Sequence, residues 1–194
     1  FVQNIKNSNR LLNVSDAVSK QNTSQDKFSM SVVEWSYKEI NMKKRVVITG
    51  MGMISPIGNS VNEAYQNAIN GISGIKIIDS FDTEELKVKI AAPVENFDPS
   101  HVLSKREIRR QDLFSQFAVV GAHQAFEDSG LEGNIDPKRL GVILGTGMGG
   151  MQTYANDLNN AFEGGLTKIP PMFIPMIIPN MASSNVAIAF NAQA

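Results

Sequence analysis

The sequence from residue 43 onward alternates short apolar runs with amphipathic stretches. The runs 46–49 and 140–144 are rich in β-branched or aliphatic side chains and predict two strands. Both runs are apolar on either face, so we expect them in the middle of a sheet that is covered on both sides. Residues 75–78 and 88–92 predict two further short strands.

Helical periodicity occupies the intervals between these runs. Asn59 or Ser60 is expected to cap a helix that ends near Gly71, and residues 152–162 and 183–190 predict two more helices. Residues 112–129 predict the strongest helix, stopped by Gly130. Its broad apolar stripe consists of Leu113, Phe114, Phe117, Val120, Gly121 and Phe126. The alternation of strands and helices predicts an α/β layer structure.

Residues 1–41 differ in composition from the rest. Asn, Ser, Gln and Lys dominate without a sustained period, which predicts a disordered leader or upstream sequence read in frame. A mitochondrial targeting peptide would be rich in Arg and poor in acids, unlike this segment. Since the chain starts at Phe1 and stops at Ala194 without a polar tail, we expect truncation at both ends. The folded domain is expected to span residues 42–194.

Composition excludes several classes of function. The net charge is −1, which offers no global field for nucleic acid or an anionic membrane, and no apolar run is long enough to span a bilayer. The chain has no cysteine. A disulfide framework, a thiolate metal site and a cysteine nucleophile are therefore excluded within these residues.

The stretch 140-LGVILGTGMGGMQTY-154 contains the pattern G-x-G-x-x-G at Gly145, Gly147 and Gly150. A strand before such a loop and a helix after it are typical of dinucleotide binding. That fold also needs an acidic residue about 20 residues further on, where this chain has Ile-Pro-Pro. A nucleotide-binding module is therefore the weakest alternative. Met148, a flexible apolar side chain between glycines, suits a movable wall of a hydrophobic pocket.

Several stretches at fixed spacing carry a family resemblance. They include 44-KRVVITGMGMISPIGNSVNEAYQNAINGISGI-75, 104-SKREIRRQDLFSQFAV-119, 140-LGVILGTGMGGM-151 and 172-MFIPMIIPNM-181. Together they closely resemble the first part of β-ketoacyl-acyl-carrier-protein synthases of the elongating type II class. The resemblance implies a thiolase-like fold, in which two similar α/β halves stack as an αβαβα sandwich, and this chain is most of the N-terminal half.

The resemblance also implies a reaction. Such enzymes condense an acyl chain with malonyl units on acyl carrier protein, using a cysteine nucleophile, two histidines and a lysine. None of these catalytic residues is present here, so no catalytic residue and no cofactor are assigned. His101 and His123 fall outside the catalytic motifs and are interpreted as ordinary surface or helix residues.

Four residues are carried over to substrate binding. Met148 matches the gate of the acyl pocket, beside Gly147. Phe173 and Ile174 match residues that reach across a homodimer interface to the partner's pocket. Without the family, plain core packing remains an alternative for Phe173.

Three basic residues are carried over to docking of the acidic carrier protein. Spacings of three and four would place Arg106, Arg109 and Arg110 on one helical face. A run of charges is otherwise typical of a solvated surface. The guanidinium fork suits carboxylates and phosphate, which favours docking here.

Two hypotheses about function therefore lead. One is a fragment of a condensing enzyme of fatty acid biosynthesis, a cytoplasmic acyltransferase, inactive as this chain alone. The other is a noncatalytic chain-length partner subunit of the same fold, in which the nucleophile is replaced. We also expect poor stability, because half of a stacked core leaves an apolar face open.

Overall fold

The computed structural model describes Arg10–Leu12, Tyr37–Glu39 and residues 45–131 and 133–194. The chain divides into two units, residues 1–47 and 48–194. In the first unit, strand β1 (Arg10–Leu12) pairs antiparallel with strand β2 (Tyr37–Glu39). These strands lie in the segment whose composition predicts disorder. Its other residues fall outside the described ranges.

The second unit is mainly helical among its described residues. Its helices are α1 (Val61–Ile69), α2 (Lys105–Ile108), α3 (Leu113–Ser129), α4 (Met151–Gly164), α5 (Phe173–Ile177) and α6 (Met181–Ala189). Strand β3 (Lys76–Ile77) pairs antiparallel with β4 (Ile90–Ala91), and 3₁₀ turns occupy Pro137–Arg139 and Leu166–Lys168. No helix in these ranges is long and apolar enough to cross a membrane.

The predicted helix boundaries hold where the signal is local. Ser60 caps α1: its hydroxyl accepts the backbone N–H of Glu63 at 3.2 Å. The Glu63 carboxylate in turn accepts the N–H of Asn59 at 2.7 Å. Helix α3 ends at Gly130, whose φ of 63° lies in the left-handed region that glycine adopts without strain. Polar caps and a terminal glycine thus fix both helices.

The core lies between α3 and α6. Val119 and Val120 of α3 and Val186 of α6 are buried, and Leu103 packs with Val119 and Val186. The predicted apolar stripe of α3 is only partly the buried face. Leu113 is exposed and Phe114 and Phe117 are half-buried, whereas Ser115 and Gln116 are buried. Phe114 and Phe117 line a cleft, and Phe117 also packs edge-to-face on Phe97, with ring centroids 4.7 Å apart.

The two predicted central strands do not form paired strands, and their predicted burial is wrong for this structure. Residues 46–49 and 140–144 have no ladder partner within the described part, and Val46 and Ile143 are 95% and 103% exposed. A strand exists only where a neighbour supplies backbone hydrogen bonds. For residues 140–144, the backbone hydrogen bond from a segment far along the chain is the one that the Ala194 N–H donates to the Leu140 carbonyl, at 3.2 Å.

The segment that continues from residues 46–49 is held by α3 side chains instead. The Met51 N–H donates to the Asp128 carboxylate and the Met53 N–H donates to the Gln124 amide oxygen, each at 2.9 Å. These two donors are two residues apart, which is the period of an extended chain. The contacts that hold this segment to α3 therefore begin after the predicted strand, at Met51.

Candidate functional site

The arginine turn, residues 105–110, begins with a capping box. The Glu107 N–H donates to the Ser104 hydroxyl at 3.3 Å, and the Ser104 N–H donates to the Glu107 carboxylate at 2.8 Å. Hydrogen bonds from the Ser104 side chain and then from its backbone lower the pKa of Glu107. The turn therefore has a fixed start on the protein surface.

The three arginines do not share one helical face as predicted. Helix α2 ends at Ile108, Arg109 is its C-cap, and the Arg110 N–H donates to the Glu107 carbonyl at 2.9 Å. A four-residue helix is too short to carry the spacing of three and four through Arg110. The structure nonetheless brings Arg106 and Arg110 to the same cleft, and Arg109 is not among its lining residues.

That cleft has a volume of about 280 Å³ and a largely apolar floor. Its apolar lining consists of Leu103, Val119, Met172, Pro175, Met181, Ile188 and Ala189. All three arginines of the turn are exposed, and none takes part in an ion pair with another described residue. Their guanidinium groups are therefore available to an external anion.

Gln116 holds the end of the arginine turn. Its side-chain N–H₂ donates to the Ile108 carbonyl at 3.1 Å and to the Gln111 carbonyl at 2.8 Å. The side chain is buried, with 8% of the residue exposed. Carbonyls at the end of a helix lack intrahelical partners, and Gln116 supplies one.

The glycine loop, residues 145–150, is joined to helix α5. The Gly150 N–H donates to the Ile177 carbonyl at 3.0 Å. A Cβ atom at Gly150 would collide with the Met176 carbonyl oxygen and lie 3.0 Å from the Ile177 Cα. At Gly145 and Gly147, by contrast, a Cβ would meet no atom within 4 Å. The end of the loop is packed and its start is open.

The four predicted substrate-binding residues lie on these two joined segments. Gly147 and Met148 are in the glycine loop, and the Met148 side chain is 68% exposed. Ile174 in α5 is 56% exposed. Phe173 is half-buried and stacks on Tyr154 of α4, with ring centroids 6.0 Å apart and an interplanar angle of 26°. Apolar side chains are thus presented on both sides of the junction.

Helix α4 follows the glycine loop, and a carboxylate already occupies its N-terminus. The Thr153 N–H in the first turn donates to Asp112 Oδ2 at 2.8 Å. A dinucleotide fold places its pyrophosphate at this position, where helix N–H groups are unpaired. Asp112, which is 5% exposed, would exclude that pyrophosphate by occupancy and by like charge. The geometry therefore disfavours the nucleotide hypothesis.

Asp112 is the residue that sequence reasoning missed. Its position before an apolar helix indicates a cap, and its Oδ1 does accept the Phe114 N–H at 3.2 Å. Its second partner, Thr153, lies 41 residues further along the chain. No local pattern signals that contact.

An apolar cleft of about 340 Å³ lies beside the start of the glycine loop. Its lining residues are Gly52, Ile54, Phe114, Phe117, Ala118, Gly121, Ala122, Leu144, Gly145 and Thr146. None of these side chains is ionisable, so the cleft offers apolar contact and no acid–base chemistry.

The two histidines lie apart from these clefts. His101 is exposed, and His123 Nδ1 on α3 is 3.5 Å from Glu127 Oε2. Within the described ranges, no group of three His, Cys, Asp or Glu residues is arranged to hold a metal ion.

Comparisons with known proteins give these features a context. Residues 43–194 match the family model described as "Beta-ketoacyl synthase, N-terminal domain". The 3-oxoacyl-[acyl-carrier-protein] synthase 2 of Coxiella burnetii is 46% identical over 152 residues, which are 78% of this chain. The aligned part is 37% of that relative, so the chain spans little more than a third of its length.

Two solved structures share the fold. The ishigamide ketosynthase/chain length factor matches with a TM-score of 0.67 and 28% identity, over 74% of this chain and 36% of that chain. A ketosynthase in complex with its type II PKS acyl-carrier protein matches with a TM-score of 0.64 and 24% identity, over 78% and 40%. The thiolase-like α/β fold implied by the resemblance is confirmed. The chain belongs to the beta-ketoacyl synthase family, whose N-terminal domain it carries.

Proposed function

We propose that the chain is the N-terminal part of a 3-oxoacyl-acyl-carrier-protein synthase, which condenses acyl chains with malonyl-acyl carrier protein in fatty acid biosynthesis. The observation that carries the proposal is the 46% identity to the synthase of Coxiella burnetii across 152 residues. The protein is proposed to work in the cytoplasm as a homodimer.

In this proposal the junction of the glycine loop and α5 forms a wall of the acyl pocket. Met148 contacts the chain beside Gly147, and the exposed Ile174 with Phe173 reaches the pocket of the partner subunit. Each methylene that such a wall buries stabilises the bound acyl chain by about 0.8 kcal/mol. An exposed, flexible thioether beside an open glycine supports this role, because it can move without displacing packed atoms.

The arginine turn is proposed to dock the acidic carrier protein. Arg106, Arg109 and Arg110 are exposed and lack ion-pair partners in the described part of the chain. Their charges therefore remain available to steer and hold a carboxylate-rich surface. One solved ketosynthase with this fold was captured with its own acyl-carrier protein, which supports a carrier as the partner class.

The 194 residues contain no cysteine, so no acyl thioester can form on a side chain of this sequence. The chain by itself is proposed to be inactive. The alternative of a noncatalytic chain-length partner subunit is favoured by one observation, the fold match to a ketosynthase/chain length factor.

Two linked experiments separate these proposals. The genomic DNA on the 3′ side of codon 194 is sequenced, and the protein that it encodes is incubated with a radiolabelled acyl-carrier thioester. The condensing enzyme predicts a downstream cysteine that retains label and loses it on Cys→Ala substitution. A downstream sequence in which this cysteine is replaced, with no retained label, would overturn the condensing enzyme and favour the partner subunit.

A further inference from the structure

We propose that the first turn of α3 positions both candidate sites through two buried side chains. Asp112 holds the glycine loop, and Gln116 holds the arginine turn. The inference rests on the proposed function, since it assigns these residues as positioning residues for the acyl-pocket wall and for the carrier-docking surface.

Asp112 joins the starts of two helices. Its carboxylate accepts the Phe114 N–H of α3 at 3.2 Å and the Thr153 N–H of α4 at 2.8 Å. Thr153 is three residues after Gly150, where the glycine loop ends. A Cβ at Gly150 would lie 3.1 Å from the Asp112 Cβ, so the loop end also packs on this side chain. Fixing Thr153 therefore fixes the helix that anchors the Met148 loop.

Gln116 performs the corresponding task one helical turn later. Its two N–H···O bonds reach carbonyls on either side of Arg109 and Arg110, at Ile108 and Gln111. Both carbonyls precede α3, so a single buried amide ties the exposed arginine backbone to the core. A buried donor that is left without a partner costs free energy. The Gln116 amide therefore favours the backbone arrangement that keeps both carbonyls within hydrogen-bond reach.

The two side chains are four residues apart on one helix but bind different segments. Asp112 contacts the helix after the glycine loop, and Gln116 contacts the end of the arginine turn. Loss of one set of bonds leaves the other set in place. The proposal therefore predicts two separable defects, which a general loss of packing would not give.

The test uses the 194-residue chain with substitutions that preserve shape. Asp112→Asn keeps one acceptor oxygen for the Phe114 cap and loses the second, and Gln116→Met loses the amide donors. Matched controls are Asp136→Asn, an exposed carboxylate that caps one N–H in the Pro137–Arg139 turn, and Gln66→Met on the exposed side of α1. Asp112→Ser is a second variant, because serine caps α3 but is too short for Thr153.

Three readouts are compared in each variant. Amide hydrogen exchange is measured at Phe114, Thr153 and Arg110. The ¹³C-methyl signal of Met148 is assigned by its loss in Met148→Leu. The Kd for the holo acyl carrier protein of Coxiella burnetii is measured at low salt.

In Asp112→Asn and Asp112→Ser we expect Thr153 exchange to rise about tenfold or more, with Phe114 still protected. The Met148 signal should shift, and the carrier Kd should stay within about twofold. In Gln116→Met we expect faster Arg110 exchange and a carrier Kd weakened by about threefold or more, with Met148 unchanged. The controls should alter none of these readouts.

Unchanged Thr153 exchange in both Asp112 variants, or equal loss of all three readouts in every variant, would overturn the positioning roles. Failure of the proposed function has a different signature. If the unsubstituted chain does not bind the carrier, the docking proposal fails, while amide exchange and the Met148 signal still decide the assignment of Asp112.

Discussion

Two glycine-rich segments of this chain look alike in sequence and serve different ends. In 50-GMG-52 the glycines face α3: a Cβ at Gly52 would collide with the Gly121 carbonyl oxygen and lie 2.9 Å from the carbonyl carbon. In the glycine loop, Gly145 and Gly147 face open space and only the loop end is packed, against α5. The first segment needs glycine because its backbone lies directly against α3. In the second, the start of the loop has room for larger side chains.

The difference shows why glycine spacing alone is weak evidence for a nucleotide site. Close approach of backbone to helix accounts for Gly52, and close approach to α5 accounts for Gly150. The helix terminus that would receive a phosphate is already paired with Asp112. What remains open is the part of the loop that carries Met148, an apolar side chain.

The largest expected effect is at the packed segment. Gly52→Ala should lower the free energy of unfolding by about 3 kcal/mol, because the new methyl group must displace helix backbone. Gly121→Ala is the matched control on the facing helix, where a Cβ meets no atom within 4 Å. That control should stabilise by up to about 1 kcal/mol through helix propensity. Urea denaturation measures both, and a Gly52→Ala value near zero would contradict the contact.

The loop end should respond less strongly. Gly150→Ala places a methyl group against the Met176 carbonyl and the Ile177 Cα, and should cost about 2 kcal/mol. Helix α5 is short and can shift, which reduces the cost relative to Gly52. The matching measurement is the urea midpoint together with hydrogen exchange at Ile178, whose N–H donates to the Ile174 carbonyl of α5 at 3.3 Å. Retained stability with unchanged exchange would contradict the contact between the glycine loop and α5.

The open part of the loop should be the most tolerant. Gly147→Ala meets no atom within 4 Å, so the unfolding free energy should change by less than about 0.5 kcal/mol. Thermal denaturation is the measurement. A loss as large as that of Gly52→Ala would erase the difference between the two segments.

The smallest effect concerns the capping box of Ser104 and Glu107 at the N-terminus of α2, which is exposed. The Ser104 hydrogen bonds lower the pKa of Glu107, so this carboxylate contributes stability above its ordinary pKa of about 4.3 and loses it as pH falls. Ser104→Ala should raise the pKa of Glu107 toward that value. Carboxyl ¹³C NMR titration measures the shift.

The control for that titration is Ser100→Ala, which removes the side-chain hydrogen bond that lowers the pKa of Asp98 and keeps the backbone one. It should leave the pKa of Glu107 in place. An equal rise at Glu107 in both variants would show that the capping box is not the cause.

The sequence predicted those features whose causes are local. Ser60 and Gly130 begin or end helices through contacts within a few residues, and those boundaries were correct. The two central strands were wrong, because pairing depends on segments that lie far away in the chain. The contact between Asp112 and Thr153 escaped detection for the same reason.

In the candidate site, too, the sequence identified local features and missed those that depend on distant parts of the chain. The pattern identified the glycine loop and the cluster of arginines as distinctive, and the family resemblance suggested their roles. It could not show that helix α2 ends at Ile108, which moves Arg109 and Arg110 beyond the helical face. Nor could it show that Arg106 and Arg110 border one cleft, since the apolar floor comes largely from α5, α6 and their flanking residues.

The central claim is that this domain binds an acyl carrier protein through the arginine turn. The most direct measurement is calorimetric titration of the chain with holo acyl carrier protein at low and high salt. The account predicts salt-sensitive binding that the double variant Arg106→Glu/Arg110→Glu weakens at least about tenfold. The control Arg139→Glu, an exposed charge in the Pro137–Arg139 turn, should change the Kd less than about twofold. Equal weakening by both charge reversals, or binding that ignores salt, would contradict the claim.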